Sequence, residues 1–292
     1  MNGIILIDKP QGKTSHDMVY FVRRLCGIRK VGHTGTLDPD ATGVLPVCIG
    51  KATKVCDMLT VSDKEYIAEI AFGATTDTQD ASGQVLKSRA VTADENEIRD
   101  AIEHFTGEIK QIPPMFSAIK QNGRKLCDLA RQGITVERNP RRITVYETEI
   151  LGINMVEKTA RFRVSCSKGT YIRTLCEDIG EYLGCGAHMK SLRRTKSGGF
   201  DISQCRTREE LESLAADGRI AEAIIAADEV FSMLGKIVLE DLQVSKLKNG
   251  VRIKRRDVSD GARYRVYSPE GEFLSVARAE NGELVSEKSF WS

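Results

Sequence analysis

Four segments of this chain hold residue types that can do chemistry. The first is Gly32-His33-Thr34-Gly35-Thr36-Leu37-Asp38-Pro39-Asp40-Ala41-Thr42-Gly43. Its glycines permit positive φ and close approach of the backbone to a ligand. Pro39 fixes the local backbone and biases Asp38 toward an extended conformation. A carboxylate held there can serve as nucleophile, base or metal ligand. A surface Asp-Pro turn has the same spelling; His33 could be a base, but one histidine with no partner is more often structural or a binding contact.

The second segment, Cys166-Ser167-Lys168-Gly169-Thr170-Tyr171-Ile172-Arg173-Thr174-Leu175, joins an alternating strand to a helix. A helix N-terminus favours anions. Arg173 can hold a carboxylate ionised by charge pairing, or form an ordinary surface ion pair. Tyr171 can pack or hydrogen-bond at such a site. The third, Lys64-Glu65-Tyr66, offers a ring able to stack on a base, although a strand tyrosine also suits a core. The fourth, Gln111-Ile112-Pro113-Pro114-Met115-Phe116-Ser117-Ala118-Ile119-Lys120, has too much proline for a helix and reads as ordered and extended.

One lead fails. Gln11-Gly12-Lys13-Thr14-Ser15 follows a strand and precedes a helix, like the end of a phosphate-binding loop. The first glycine of that loop falls on Ile7. Gly50-Lys51 is followed by Ala52 and lacks the hydroxyl for magnesium. Nucleotide hydrolysis is therefore not expected.

The elements that must position these segments follow from apolar spacing. Gly3 to Ile7 reads as a buried strand. Thr14 or Ser15 caps a helix with Met18, Phe21, Val22 and Leu25 on one face, ended by Gly27. Residues 28–43 have no apolar period and read as a sixteen-residue loop, a length that in a compact domain is usually functional. Strands are predicted over Val44 to Ile49, around Tyr66 to Phe72, over Arg142 to Ile150 and over Thr159 to Cys166. Helices are predicted over Asp94 to Phe105, Thr170 to Leu183 with Gly184 as stop, and Arg208 to about Glu229. Beyond Phe231, short β-like runs (Lys236 to Leu239, Arg263 to Tyr267, Phe273 to Arg278) alternate with Asn-Gly, Asp-Gly and Glu-Gly turns. This predicts an α+β fold with a mostly antiparallel mixed sheet flanked by helices over 1–231, and a small β-rich domain over 232–292.

The 292 residues include 43 Lys and Arg against 41 Asp and Glu, a net charge of +2. The distribution says more than the sum. Residues 246–256 hold six cations and no acid; Arg138, Arg141 and Arg142 form a second cluster, and Lys190, Arg193, Arg194 and Lys196 a third. Such clusters suit phosphate contacts, and also solvated surface. No apolar run approaches the ~20 residues a membrane span needs, and Met1 to Asp8 lacks the basic start of a signal peptide. The eight cysteines form no Cys-x-x-Cys pair and read as reduced thiols. Cys176, Cys185 and His188 fit no zinc template. A cytoplasmic protein without metal is expected.

Taken together, the segments resemble the TruB family of tRNA pseudouridine-55 synthases. Asp8-Lys9-Pro10-x-Gly12-x-Thr14-Ser15 is similar to the family's opening motif and Gly32 to Gly43 to its catalytic motif. Lys64-x-Tyr66, Gly73-x-x-Thr76-x-Thr78-x-Asp80, the Pro-Pro segment, Gly169 to Arg173 and Leu192-Arg193-Arg194-Thr195 follow in order. The resemblance implies a pseudouridine synthase fold with a C-terminal RNA-binding domain similar to PUA. It implies Asp38 as the catalytic aspartate, paired with Arg173, and Tyr66 stacked on a flipped uracil. Tyr171 and Leu192 would line the pocket, and His33 would assist flipping. It further implies tRNA as substrate through its T-arm, action as a monomer with no obligatory protein partner, and no cofactor. The chain departs from the family at Cys127, where members often carry tyrosine, and its C-terminal domain matches the PUA pattern poorly.

Overall fold

The computed structural model describes residues 1–291. In chain order its elements are β1 (Gly3–Lys9), α1 (Ser15–Cys26), β2 (Val31–His33), β3 (Thr42–Ile49), α2 (Cys56–Thr60), β4 (Lys64–Phe72), β5 (Ala74–Thr76), β6 (Val85–Ser88), α3 (Glu95–His104) and β7 (Gly107–Gln111). Then come β8 (Lys120–Gln121), β9 (Arg124–Lys125), α4 (Leu126–Ala130), β10 (Arg141–Asn154), β11 (Thr159–Cys166), α5 (Ile172–Tyr182), β12 (Ala187–Ser197), β13 (Phe200–Asp201) and α6 (Arg208–Ala216). The chain finishes with β14 (Gly235–Val238), α7 (Asp241–Lys248), β15 (Ile253–Lys254), β16 (Arg263–Tyr267), β17 (Phe273–Glu280) and β18 (Glu283–Ser289).

The main sheet runs β1-β3-β12-β4-β11-β10-β7, with β2 on β3 and β13 on β12. Every pairing is antiparallel except β3 with β12, so the mixed, mostly antiparallel sheet is as expected. β4 shows why its pattern was readable: Lys64, Tyr66, Ala68, Ile70 and Phe72 are buried and the residues between them are half-exposed. β1 and β3 are apolar on both faces for a different reason. Ile5, Ile7, Leu45, Val47 and Ile49 enter the core under α1, α3, α5 and α6. Ile4, Leu6, Val44 and Cys48 enter a second core with Phe231, Val276 and Phe290. Residues 235–289 thus form a five-stranded sheet, β14-β16-β17-β18-β15, packed on the back of β1 and β3 and with a core of its own.

Local signals set most ends. Thr14 caps α1 through a box with Asp17, and Gly27 closes it at φ 65°. Asp94 caps α3 in the same way. Three expectations change. The loop at 28–43 is shorter, because Val31–His33 pairs with Val47–Ile49 and β3 begins at Thr42; a three-residue strand with a central glycine carries no readable period. The helix from Arg208 stops at Ala216, where Gly218 turns at φ 71°, and the rest is 3-10 turns. α5 starts at Ile172 with Tyr171 as its cap. β12 and α7 had no counterpart in the sequence reading. β12 buries Ala187, Met189, Leu192, Arg194 and Ser197, and two bulges, at Met189/Ser191 and Arg194/Lys196, break its alternation.

The second edge of β3 is divided. β2 takes Val47–Ile49 and β12 takes Thr42 and Gly43. The chain between β2 and β3, residues 34–41, emerges at this break. No helix among the described residues is long and apolar enough to cross a membrane. At the β3–β12 junction Gly43 has φ 105°, and a Cβ there would drive into the Arg194 carbonyl oxygen. Strain and overpacking together predict that Gly43→Ala costs about 2–5 kcal/mol. Urea denaturation checks this; an unchanged midpoint would show that the junction is not tight.

Candidate active site

The segment 34–41 is held at several points. Leu37 and Ala41 are buried on either side of Asp38. The Ser15 hydroxyl accepts from the Leu37 amide at 2.8 Å and lies 3.1 Å from the Leu37 carbonyl. Lys9, fully buried at the end of β1, donates its ammonium to the carbonyls of Pro10 (2.9 Å), Lys13 (2.5 Å) and Pro39 (2.9 Å). Burial lowers its pKa to about 8, against the opposing charges of Asp40 and Asp38. The Ala41 amide donates to the Asp38 carbonyl, which closes a turn around Pro39. The segment is therefore an Asp-Pro turn, but one whose carboxylate faces a buried guanidinium.

That guanidinium is Arg173, whose side chain is 6% exposed against 35% for Asp38. Its Nε lies 2.9 Å from Asp38 Oδ2, and its Nη2 donates to Oδ1 at 3.3 Å. Nη1 donates to the Thr78 carbonyl (3.0 Å) and Nη2 also to the Phe116 carbonyl (2.9 Å). A second carboxylate, Asp80, lies 3.7 Å from Nε. Asp80 is oriented by the hydroxyls of Thr78 (2.7 Å) and Ser82 (2.6 Å) and the Ser82 amide (3.0 Å). Gln79 between them takes φ 64°, a left-handed conformation held by Thr174 and by Glu177 of α5. Desolvation pushes the Asp38 carboxyl above its ordinary range; Arg173 opposes this by charge and hydrogen bonding, and Asp80 adds to it.

Tyr66 is buried on β4, between Val164 of β11 and Arg194 of β12. Burial raises its pKa, so the phenol stays protonated at neutral pH. Leu192 lies two residues before Arg194 and opposite Ala68, on the same face. Tyr171 is fixed through its backbone: its amide donates to Gln111 Oε1 (2.8 Å) and its carbonyl accepts from Gln111 Nε2 (3.0 Å). The charge of Asp38 reaches both tyrosines. His33 ends β2, with Nδ1 accepting from the Gly35 amide at 3.3 Å. Burial, then the Arg194 charge, lowers its pKa, which keeps it neutral and unsuited to donate a proton near pH 7. The fold thus pairs Asp38 with Arg173 and brings Tyr66 and Tyr171 within reach of the Asp38 charge, with Leu192 on the strand face beside Tyr66.

Asp80, Lys9 and Arg194 stand in motifs named from the sequence, but no role at the site was assigned to them there. Lys9 was detectable as a charge ending a buried strand, and Arg194 as lying two residues from Leu192 on the same strand face. Asp80 was marked only by its place in the Gly73-x-x-Thr76-x-Thr78-x-Asp80 motif. Cys176 and Cys185 are buried free thiols. Among the described residues no group of three His, Cys, Asp or Glu is placed to hold a metal ion.

Two family models match the chain. TruB family pseudouridylate synthase (N terminal domain) covers residues 23–172, and tRNA pseudouridylate synthase B C-terminal domain covers 173–239. The chain belongs to the TruB family. A tRNA pseudouridine synthase B of Geobacillus thermodenitrificans is 48% identical over 260 residues, 87% of this chain and 86% of that protein. The protein of the same name from Clostridioides difficile is 45% identical over 299 residues, covering 99% and 98%. Among solved structures, a Cbf5-Nop10-Gar1 complex matches with TM-score 0.73 and 30% identity over 99% of this chain and 85% of that one. An H/ACA RNP bound to a substrate RNA containing 2'-deoxyuridine matches with TM-score 0.73 and 27% identity over the same shares.

The elevated Asp38 pKa has a testable sign. If the ionised form acts, the single-turnover rate falls as pH drops, with its inflection above the ordinary aspartate value of 3.8. Arg173→Lys keeps the charge but loses the two-point contact. It should move that inflection upward and forfeit ~1.5–3 kcal/mol, roughly 10–100-fold in rate. A pH–rate profile of both proteins checks this; an unmoved inflection would remove Arg173 from the control of Asp38.

Proposed function

We propose that this protein isomerises the uridine at position 55 in the T-loop of tRNA to pseudouridine. The observation that carries the reading is the Asp38–Arg173 pair, a partly exposed carboxylate held by a buried guanidinium. The match to relatives named tRNA pseudouridine synthase B, over nearly the whole chain, supports the substrate class.

The reaction breaks the N1–C1′ bond, turns the base and forms C5–C1′. N1 ends with a proton and C5 loses one, so there is no net redox change. The residues present suit these demands. Asp38 is the catalytic carboxylate, attacking C1′ or taking the C2′ proton. Arg173 favours its ionised form. Tyr66 stacks on the extruded uracil, and Tyr171 and Leu192 complete the pocket. His33, neutral, contacts the distorted T-loop. Extruding the base costs a few kcal/mol, which stacking and phosphate contacts offset. Residues 232–292 form the second RNA-binding domain, with the cations between Lys246 and Arg256 as phosphate contacts. The chain acts in the cytoplasm as a monomer without an obligatory protein partner or a cofactor.

Two other readings are separable. The structural neighbours from ribonucleoprotein complexes raise a guide-RNA-dependent enzyme, but their identity of 27–30% is well below the 45–48% of the relatives named for tRNA. A tRNA folding chaperone would need no reactive carboxylate.

An unmodified tRNA transcript incubated with the isolated chain should gain one pseudouridine, and a transcript with cytidine at position 55 should gain none. Asp38→Asn, which can neither attack nor accept a proton, should lower the rate roughly 10⁴-fold or more while tRNA binding persists. No product from the wild-type chain, or full activity of Asp38→Asn, would overturn the reading.

A further inference from the structure

Arg194 is among the largest fully buried side chains, 1% exposed, and it lies on β12 beside Tyr66 of β4. A guanidinium keeps its charge at any ordinary pH. Its acceptors are not acids: Nε donates to the Val44 carbonyl at 2.8 Å and Nη2 to the Gly35 carbonyl at 3.3 Å. No ion pair among the described residues includes it. A buried cation without a carboxylate partner is costly, and an apolar side chain of similar volume is the cheaper way to fill a core. Met189 and Leu192, buried on the same strand, show that this face accepts such residues.

The place of its contacts suggests what the charge is for. Gly35 and Val44 bracket the span that carries Asp38. Val44 lies on the stretch of the β3 edge that neither β2 nor β12 pairs, so the side chain serves a carbonyl the sheet leaves open. The Arg194 backbone is in register with Gly43 on one side and Tyr66 on the other. Its charge also opposes the effect of burial on the Tyr66 phenol.

We infer that Arg194 is a positioning residue for the reaction, tying both ends of the Asp38 span to the strand that seats Tyr66. It does not reach the reacting atoms; it acts through Asp38 and Tyr66. The inference rests on the pseudouridine synthase reading, and its test separates the two.

Arg194→Lys keeps a cation but loses the fork, and Arg194→Met removes the charge at similar volume. Both are compared with wild type in single-turnover conversion of tRNA and in filter binding, well below each protein's melting temperature. Misplacement of a reacting group by about 1 Å costs on the order of 100-fold in rate. The expected result is therefore a loss of about 100-fold in Arg194→Lys, with tRNA affinity within about threefold of wild type, and a larger loss in Arg194→Met. A wild-type rate in Arg194→Lys overturns the inference, as does a rate loss matched by lost affinity or by the unfolded fraction. Should Arg194→Met fail to fold, Arg194→Lys decides alone. If wild type itself converts no uridine, the synthase reading fails instead.

Discussion

The structure turns on the contact between the Arg173 guanidinium and the Asp38 carboxylate. Arg173 is almost fully buried, so its charge needs a partner and its N–H groups need acceptors. These come from the span between β2 and β3, the turn after β5, the Pro-Pro segment and Asp80. Three stretches far apart in sequence are thus brought to one side chain, since Asp80 belongs to the turn after β5. Breaking a buried pair by removing one partner is far worse than never having had it, so the site cannot assemble halfway.

The same burial sets the chemical limits of the site. Low local polarity raises the Asp38 pKa, and two carboxylates near one arginine share its charge. The ionised form of Asp38 is therefore less firmly held than in an isolated pair, and about a third of its side chain stays exposed. The surrounding cations differ in kind. Lys9 and Arg194 give their hydrogen bonds to carbonyls, so they shape the backbone around Asp38 without forming an ion pair with it. Burial, and then the Arg194 charge, favours the neutral form of His33.

Much of this was legible because the main-chain plan follows period and caps. β4, α1 and α3 sit where apolar spacing and Thr14, Gly27 and Asp94 put them. The gathering of Asp38, Arg173, Tyr66 and Tyr171 came from ordered motifs rather than from any local rule, since spacing alone does not separate Asp38 from a surface turn. What stayed hidden depends on tertiary context. β12 is disguised by two bulges and by an arginine facing inward. β2 is too short to show a pattern. Asp80 depends on a left-handed Gln79, a conformation that no residue type at that position announces.

The position of the site follows from one irregularity in the sheet. A sheet paired continuously along both edges of β3 would satisfy its backbone and leave no room for a loop to enter. Here β3 meets β2 at one end and β12, in parallel, at the other. Between them the carbonyls of Val44 and Pro46 need other donors, and they receive the Arg194 guanidinium and the Thr34 amide. The gap is thus sealed by the loop that it admits. Ligand sites in open sheets collect where strand order switches, and the β3–β12 junction gives the physical content of that tendency in a mostly antiparallel sheet. A change of strand direction leaves backbone groups unpaired, side chains must satisfy them, and the chain they hold can carry a reactive group.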